Sequence, residues 1–193
     1  MEDTQTKQID LLNYCDRSMP EISEFIHANE LAPKNTPNLT NVWLEIFDSP
    51  GLEEFAALRE LAIKQRHGFI IMYSIETESS LIEAENFILT IAKIKDETAD
   101  LDKNNTREIG RKIPMLLLGN KCDLEEHRKV TKEQGAALAE KYGILHFAEC
   151  SAKWYTPNID CAFGEMALML YRQRIIQENM VDNKKAKKEC QVM

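Results

Sequence analysis

Three polar residues stand directly after a run of aliphatic residues that has the composition of a core strand. The segment IPMLLLGNKCDL (Ile113–Leu124) passes from apolar residues to the amide of Asn120, the ammonium of Lys121 and the carboxylate of Asp123. An amide donates and accepts hydrogen bonds, an ammonium only donates and a carboxylate only accepts. Their close spacing after an apolar run indicates a loop that binds a polar ligand.

Two more polar clusters follow strand-like segments elsewhere in the chain. They are DSPG (Asp48–Gly51) and CSAK (Cys150–Lys153). In open parallel α/β sheets, ligands bind outside the carboxyl ends of the strands. We therefore expect the three clusters to line one crevice.

The elements that must position these clusters alternate between strand and helix from Val42 onward. Short apolar runs are typical of strands buried on both faces of a parallel sheet. Capping boxes at Ser80–Glu83 and Thr131–Gln134 mark helix starts, Gly143 marks a helix end, and a last helix begins at Asn158. This order predicts an α/β fold with a doubly wound, mostly parallel sheet and helices on both faces. The predicted strands are Val42–Asp48, Phe69–Ile75, Met115–Gly119 and His146–Cys150.

Other segments depart from this regular alternation. The polar stretch Glu97–Lys112 predicts a surface loop insertion, because it has too few apolar residues for the core. Thr6–Asp16 and Pro20–Leu31 each have the pattern of a short amphipathic helix. We expect a divergent N-terminal segment at 1–41, a main domain at 42–179 and a basic tail at 180–193.

The motifs, taken in order, resemble one family. LEIFDSPGLEEFAALRELAIKQRHGF, LLLGNKCDLEEHRKVTKEQGAALAEKYG and ECSAK are similar to the Ras superfamily of small GTPases, and YSIETES and TKEQG favour its Ras and Rap branch. The similarity runs from about Leu44 to the C-terminus. It implies a Ras-like G domain that acts as a signalling switch, binds GTP or GDP with Mg²⁺ and hydrolyses GTP.

The resemblance also implies roles for individual residues in binding the guanine base. Asn120 holds the loop together and contacts the base, and the aliphatic stem of Lys121 packs over the ring. The backbone N–H of Ala152 meets the guanine oxygen, with Ser151 and Lys153 in support.

Asp123 supplies the discrimination between guanine and adenine. Guanine presents N1–H and the 2-amino group as adjacent donors, and one carboxylate can accept hydrogen bonds from both. Adenine lacks this pair of donors, so it would leave the carboxylate unsatisfied. Asp123 therefore predicts specificity for guanine.

By the same resemblance, DSPG is the motif in which an Asp holds Mg²⁺ through water and a Gly N–H contacts the γ-phosphate. Asp48 and Gly51 occupy those two positions. The next residue is Leu52, where the Ras pattern has a glutamine that orients the attacking water. Because an isobutyl group cannot hydrogen-bond water, we expect very slow hydrolysis of any bound GTP and assign no catalytic residue.

The phosphate-binding loop GxxxxGK[ST] does not occur in the sequence, and the nearest partial match is Gly110-Arg111-Lys112. Hydrogen bonds to charged groups contribute about 1.5–3 kcal/mol each, so losing several weakens binding by about three orders of magnitude or more. In the family, the strand before this loop lies in the middle of the sheet. The segment Ile9–Cys15 is a candidate to replace it.

The C-terminal residues form a separate motif. Cys190-Gln191-Val192-Met193 fits the C-a-a-X prenylation pattern loosely, and a terminal Met favours farnesyl. One prenyl chain anchors weakly, and the basic segment Lys184–Lys188 adds attraction to anionic lipid headgroups. We expect attachment through Cys190 to the cytosolic face of a membrane such as the plasma membrane. The alternative is a solvated basic tail.

Composition places bounds on these hypotheses. A chain of 193 residues with 44% hydrophobic and 29% charged residues is typical of one globular domain. No apolar run approaches the length of a membrane span, and the polar N-terminus lacks signal-peptide features, so we expect a cytosolic protein with reduced cysteines. The formal net charge of −8 argues against a nucleic-acid partner.

Two other hypotheses fit the same sequence. One is an interaction protein without a nucleotide cycle, which binds effectors or regulators through the region Glu53–Arg66; a functional switch would use this same region. The other is that the first forty residues are not the native start and that the true chain carries a normal phosphate loop.

Overall fold

The computed structural model describes residues 4–10, 41–48, 56–95, 106–154 and 157–189. Three predicted site positions, Gly51, Leu52 and Cys190, lie outside these described residues. The chain divides into two compact units, one of residues 48–166 and one of residues 1–47 together with 167–193.

Five strands and five helices make up the described secondary structure. The strands are β1 (Thr4–Asp10), β2 (Asn41–Phe47), β3 (Phe69–Ser74), β4 (Met115–Asn120) and β5 (His146–Glu149). The helices are α1 (Ala56–Gln65), α2 (Glu78–Lys95), α3 (Glu108–Lys112), α4 (Lys132–Lys141) and α5 (Pro157–Glu189), with a 3-10 turn at Glu125–His127.

The unit of residues 48–166 is built on a parallel sheet with the strand order β3-β4-β5. Phe69 lies opposite Met115, and Leu116 lies opposite His146. All four residues of Met115–Leu118 on the central strand are buried. Because successive side chains point to opposite faces of a sheet, both faces of β4 are covered. The prediction of an α/β fold with a parallel sheet is confirmed.

Helix α2 packs against β3 through one apolar face. Ala84, Ile88, Ile91 and Ala92 are buried at helical spacing. The predicted capping box at Ser80 is wrong, because the helix begins earlier, at Glu78. The Ser80 hydroxyl instead accepts the Ser74 N–H at 2.9 Å and donates to the Thr77 carbonyl at 2.6 Å, so it closes the turn between β3 and α2.

Helix α4 begins and ends at the predicted signals. The Thr131 hydroxyl accepts the Gln134 N–H at 3.3 Å, and the Gln134 side chain accepts the Thr131 N–H at 2.7 Å, which confirms the capping box. After the helix, Gly143 has a left-handed φ of +65°. The N–H groups of Gly143 and Ile144 bond to the carbonyls of Glu140 and Ala139, the pattern of a Schellman motif.

The predicted surface loop Glu97–Lys112 is wrong over its last residues. Glu108–Lys112 form the short helix α3, in which Ile109 and Gly110 are buried. The Gly110 N–H donates to the Tyr142 carbonyl at 2.8 Å. The average polarity of the stretch did not predict that Ile109, in its described part, is a buried apolar residue. The residues from 96 to 105 lie outside the described structure.

Helix α1 lies on the protein surface and has no buried residue. The Lys95 ammonium donates to the carbonyls of Lys64 and Arg66, which ties the end of α1 to the end of α2. Leu58 and Leu61, three positions apart on the helix, are 46% and 51% exposed.

The other unit contains a two-stranded antiparallel sheet. β1 pairs with β2 in a register that sets Thr4 opposite Phe47 and Asp10 opposite Asn41. The helix predicted from Thr6 is therefore wrong as far as Asp10, because these residues find a strand partner that is distant in the sequence. Its remaining residues and the helix predicted at Pro20–Leu31 lie outside the described residues.

Helix α5 begins at Pro157, beside the predicted start at Asn158, and its backbone is helical through Glu189. No change of secondary structure therefore marks the expected boundary between residues 179 and 180. Within the described part of the chain, no helix combines the length and the apolar character needed to cross a membrane.

Candidate functional site

The loop after β4 begins with a strained turn at the end of the strand. Asn120 is the last residue of β4, and its carbonyl accepts the Ile75 N–H at 3.1 Å. Lys121 then has a φ of +67° and is the only non-glycine residue with positive φ in the described part of the chain. Residues other than glycine adopt this conformation at an energetic cost. Residues held in such conformations cluster at functional sites.

The Asn120 side chain joins the loops after β4 and β5. Its Oδ1 accepts the Lys121 N–H at 2.8 Å and the Ala152 N–H at 3.1 Å. A second link between the loops is backbone to backbone, because the Cys122 N–H donates to the Cys150 carbonyl at 3.1 Å. These bonds bring NKCD and CSAK together, as their positions after neighbouring strands predict.

Asp123 and Ser151 make the shortest contact between the two loops. The buried Ser151 hydroxyl donates to Asp123 Oδ1 at 2.5 Å, and the Trp154 N–H donates to the same hydroxyl oxygen at 3.3 Å. This hydrogen bond from Ser151 holds the pKa of the Asp123 carboxyl below its ordinary value. Asp123 is therefore a fixed carboxylate at neutral pH and retains acceptor capacity for a ligand.

The two predicted lysines have different surroundings. The Lys121 ammonium forms an ion pair with Glu76 Oε2 at 2.7 Å. The Lys153 side chain is exposed, and its ammonium lies over the Trp154 ring, 5.2 Å from the ring centre. Glu76 stands in the turn after β3, so all three strands of the sheet contribute to this edge.

The two cysteines of the loops behave as apolar residues. Cys150 is fully buried and Cys122 is partly buried, and burial raises the pKa of both thiols. A thiol with a raised pKa is less reactive, so these two cysteines serve as small packing residues. Cys161 on α5 is partly buried.

The motif DSPG is represented in the described residues by Asp48 alone. Its side chain is exposed, immediately after β2. Gly51, predicted to contact the γ-phosphate, lies outside the described residues, as does Cys190.

Three charged residues near the site were not predicted from the sequence. They are Glu76, Arg128 and Glu149, and Arg128 bonds to Glu149 through two hydrogen bonds of 2.7 and 2.9 Å. The two partners are separated by 21 positions, and only the path of the chain after β4 brings them together. The sequence motifs do not predict this contact, although Glu149 directly precedes CSAK in the sequence.

The arrangement defines a class of protein. A parallel α/β sheet with polar loops joined at the carboxyl ends of its strands is the architecture of nucleotide-binding domains.

Comparison with known proteins gives the family. The profile of the Ras family matches residues 11–172, and the chain belongs to this family of small GTPases. The match begins at residue 11, so the relationship extends N-terminally beyond Leu44, where the recognisable motifs begin. Ras-related protein rapC from Dictyostelium discoideum is 41% identical over 130 residues, which are 67% of this chain and 42% of that protein. The chain thus spans about two fifths of the length of this relative.

Proposed function

We propose that this protein is a guanine-nucleotide-binding switch of the Ras type that acts at a membrane and hydrolyses GTP very slowly. The observation that carries the proposal is the pair of links from Asn120 Oδ1 to the Ala152 N–H and from Ser151 to Asp123. These links hold an amide, a carboxylate and a backbone N–H together at one sheet edge, which supports a site for one base.

Each group has a distinct role in recognising guanine. Asp123 accepts hydrogen bonds from N1–H and the 2-amino group, and the stem of Lys121 covers one face of the ring. The Ala152 N–H donates to Asn120 Oδ1 at 3.1 Å. When the base binds, this N–H is shared with the guanine oxygen. Ser151 fixes the position of the Asp123 carboxylate, and Lys153 adds positive charge beside it.

The phosphates and Mg²⁺ would be held near the DSPG motif. Among the described residues, no three His, Cys, Asp or Glu side chains form a cluster that could hold a metal ion. Mg²⁺ in nucleotide sites takes most of its ligands from phosphate and water, so one exposed carboxylate, Asp48, fits a contact through water. Gly51 would contact the γ-phosphate, and Leu52 would leave the attacking water unoriented.

The C-terminal tail supplies the membrane attachment in this proposal. Cys190 carries the prenyl group, and Lys184–Lys188 attract anionic headgroups. The segments 1–41, 42–179 and 180–193 would then serve as N-terminal segment, switch domain and anchor.

A second candidate function is an interaction module that works without nucleotide. Leu58 and Leu61 on α1 favour it, because their exposure gives the region Glu53–Arg66 an apolar surface suited to a protein effector or regulator. The absence of GxxxxGK[ST] from the sequence also favours it.

Thermal unfolding with added nucleotides tests the proposal. The full chain is unfolded with Mg²⁺ and increasing GDP, with ADP as the control for the phosphates and IDP as the control for the 2-amino group. A ligand that binds only the folded state stabilises it by about 2.7 kcal/mol at a concentration of 100 Kd. We expect GDP to raise the unfolding temperature more than IDP, and ADP to have no effect.

The alternatives give different results in the same experiment. Equal shifts with GDP and ADP would contradict base recognition by Asp123. A cooperative transition that none of the nucleotides changes would refute the switch and support the interaction module.

A further inference from the structure

Arg128 lies behind the two loops of the candidate site, in a part of the chain that none of the base-recognition motifs includes. It follows the 3-10 turn that ends the NKCD loop. Its partner Glu149 is the last residue of β5, directly before CSAK. Arg128 therefore bonds the end of one base-binding loop to the start of the other.

The guanidinium uses every N–H that it has. Nη1 donates to Glu149 Oε1 at 2.7 Å and to the Val130 carbonyl at 2.9 Å, and Nη2 donates to Glu149 Oε2 at 2.9 Å. Nε and Nη2 donate to the two carboxylate oxygens of Glu125 at 2.8 and 2.7 Å. An arginine has five N–H donors in a fixed plane. This plane defines the relative positions of the three groups that accept from it, the carboxylates of Glu125 and Glu149 and the carbonyl of Val130.

The ion pair with Glu149 is sheltered from solvent. The Arg128 and Glu149 side chains are 16% and 12% exposed, whereas the exposed pair of Arg107 and Glu140 is 68% and 74% exposed. A buried ion pair adds little net stability compared with apolar residues of the same size, because desolvation offsets the attraction. Its clearest contribution is to fix geometry, which is what a base-binding loop requires.

We propose that Arg128 is a positioning residue for guanine recognition, which holds the NKCD and CSAK loops at the spacing that lets Asp123 and Ala152 contact one base. This inference rests on the proposed function. It assigns specificity to a residue that does not itself contact the nucleotide.

The test compares Arg128→Gln and Arg128→Lys with the matched control Arg107→Gln in the full chain. The first measurement needs no nucleotide: amide hydrogen exchange at Cys122 and Ala152, whose N–H groups bond across the two loops. We expect Arg128→Gln to accelerate exchange at both amides by about tenfold or more and to leave Ile88 on α2 unchanged. Arg128→Lys keeps the charge but loses the planar arrangement, so it should give an intermediate effect, and Arg107→Gln should give none.

The second measurement is the ratio of GDP to IDP affinity. We expect this ratio to fall by about tenfold in Arg128→Gln, because displaced loops no longer match the 2-amino group. Equal losses of affinity for both nucleotides, or faster exchange over the whole unit, would overturn the proposal and leave Arg128 with a general structural role. If the wild-type chain binds no GDP, the proposed function fails and the role in guanine recognition fails with it. Local exchange at the two amides would then still report whether Arg128 orders the loops.

Discussion

Burial of the Tyr73 hydroxyl, on β3, lowers the free energy of unfolding. The side chain is 3% exposed, and no hydrogen-bond partner for its hydroxyl lies among the described residues. Gly119 makes room for it, since a Cβ at that position would lie 2.8 Å from the tyrosine oxygen. Burial, together with the charge of Glu149, raises the pKa of Tyr73 to about 12 from its ordinary value of 10.0.

Replacing Tyr73 with Phe should therefore stabilise the protein by about 1 kcal/mol at pH 7, because it removes an unsatisfied buried polar group. The folded protein holds the tyrosine proton more tightly than the unfolded chain does. The stability of the wild type should thus be independent of this group below pH 10 and fall between about pH 10 and 12. Tyr73→Phe should lose less stability over that interval, as measured by urea unfolding at a series of pH values.

Tyr142→Phe is the matched control for this prediction. The Tyr142 hydroxyl donates to Glu85 Oε1 at 2.6 Å, so its removal should destabilise the protein by about 1–2 kcal/mol. Stabilisation by both substitutions, or by neither, would contradict the prediction. It would show that hydrogen bonding of the hydroxyl does not decide whether its removal stabilises the protein.

Residue spacing predicted part of the candidate site and could not predict the rest. Asn120, Asp123 and Ser151 lie within short motifs directly after strands, so the approach of their loops follows from a parallel sheet. The contacts of Arg128 and Glu76 with the site depend on the paths of two turns. A single sequence contains no local signal for those paths.

At the scale of elements, the end of α4 is packed against the segment before α3. A Cβ built on Gly143 would collide with the backbone carbonyl oxygen of Arg107, and the φ of +65° disfavours any side chain. A Cβ on Gly110 would likewise collide with the Gly143 carbonyl. Two glycines thus allow two backbone segments to approach closely.

Gly143→Ala should destabilise the protein by about 2–4 kcal/mol, through both the left-handed conformation and the collision. Gly143→Asn separates the two causes, because Asn tolerates positive φ but still carries a Cβ. We expect both variants to lower the unfolding free energy measured in urea. Wild-type stability of Gly143→Asn would contradict the collision and leave conformational strain as the whole effect.

The different outcomes of the two predicted capping boxes show why some helix starts could be predicted from the sequence and others could not. Thr131 forms its box at the predicted position, because its hydroxyl remains available to the Gln134 N–H at the start of α4. The Ser80 hydroxyl is used by the end of β3, a competition that appears only when the strand and helix are packed. Similarly, the strand candidate Ile9–Cys15 overlaps β1 only at Ile9 and Asp10, and its other residues lie outside the described structure. The rest of β1 could not be predicted, because its partner β2 is distant in the sequence and its own residues also fit a helix.

At the scale of the whole molecule, charge is distributed unevenly along the chain. The formal net charge is −8, yet four lysines lie close together in Lys184–Lys188 at the end of α5. The net charge of an acidic protein opposes its approach to anionic lipid, and a cluster of lysines offsets this repulsion locally. The proposed anchor therefore depends on these lysines for orientation as well as for affinity.

Substituting Gln for both Lys187 and Lys188 in the farnesylated full chain should weaken binding to vesicles that contain anionic lipid by roughly 30-fold, since each basic residue contributes about 1 kcal/mol. Vesicle sedimentation measures this. The exposed lysines Lys93 and Lys132, replaced together by Gln, provide a control with the same change of charge. Equal binding by the two double variants would contradict a local role for the tail, and on neutral vesicles the two variants should not differ.

The register of β1 and β2 has a consequence for how this chain tolerates change in length. Asp10 pairs directly with Asn41, so residues 11–40 leave the strand pair and return to the same point. The entropy lost on closing such an excursion grows only with the logarithm of its length, and a doubling costs about 0.6 kcal/mol. On grounds of chain closure alone, insertions or deletions here would leave the pairing of β1 and β2 almost as favourable as before.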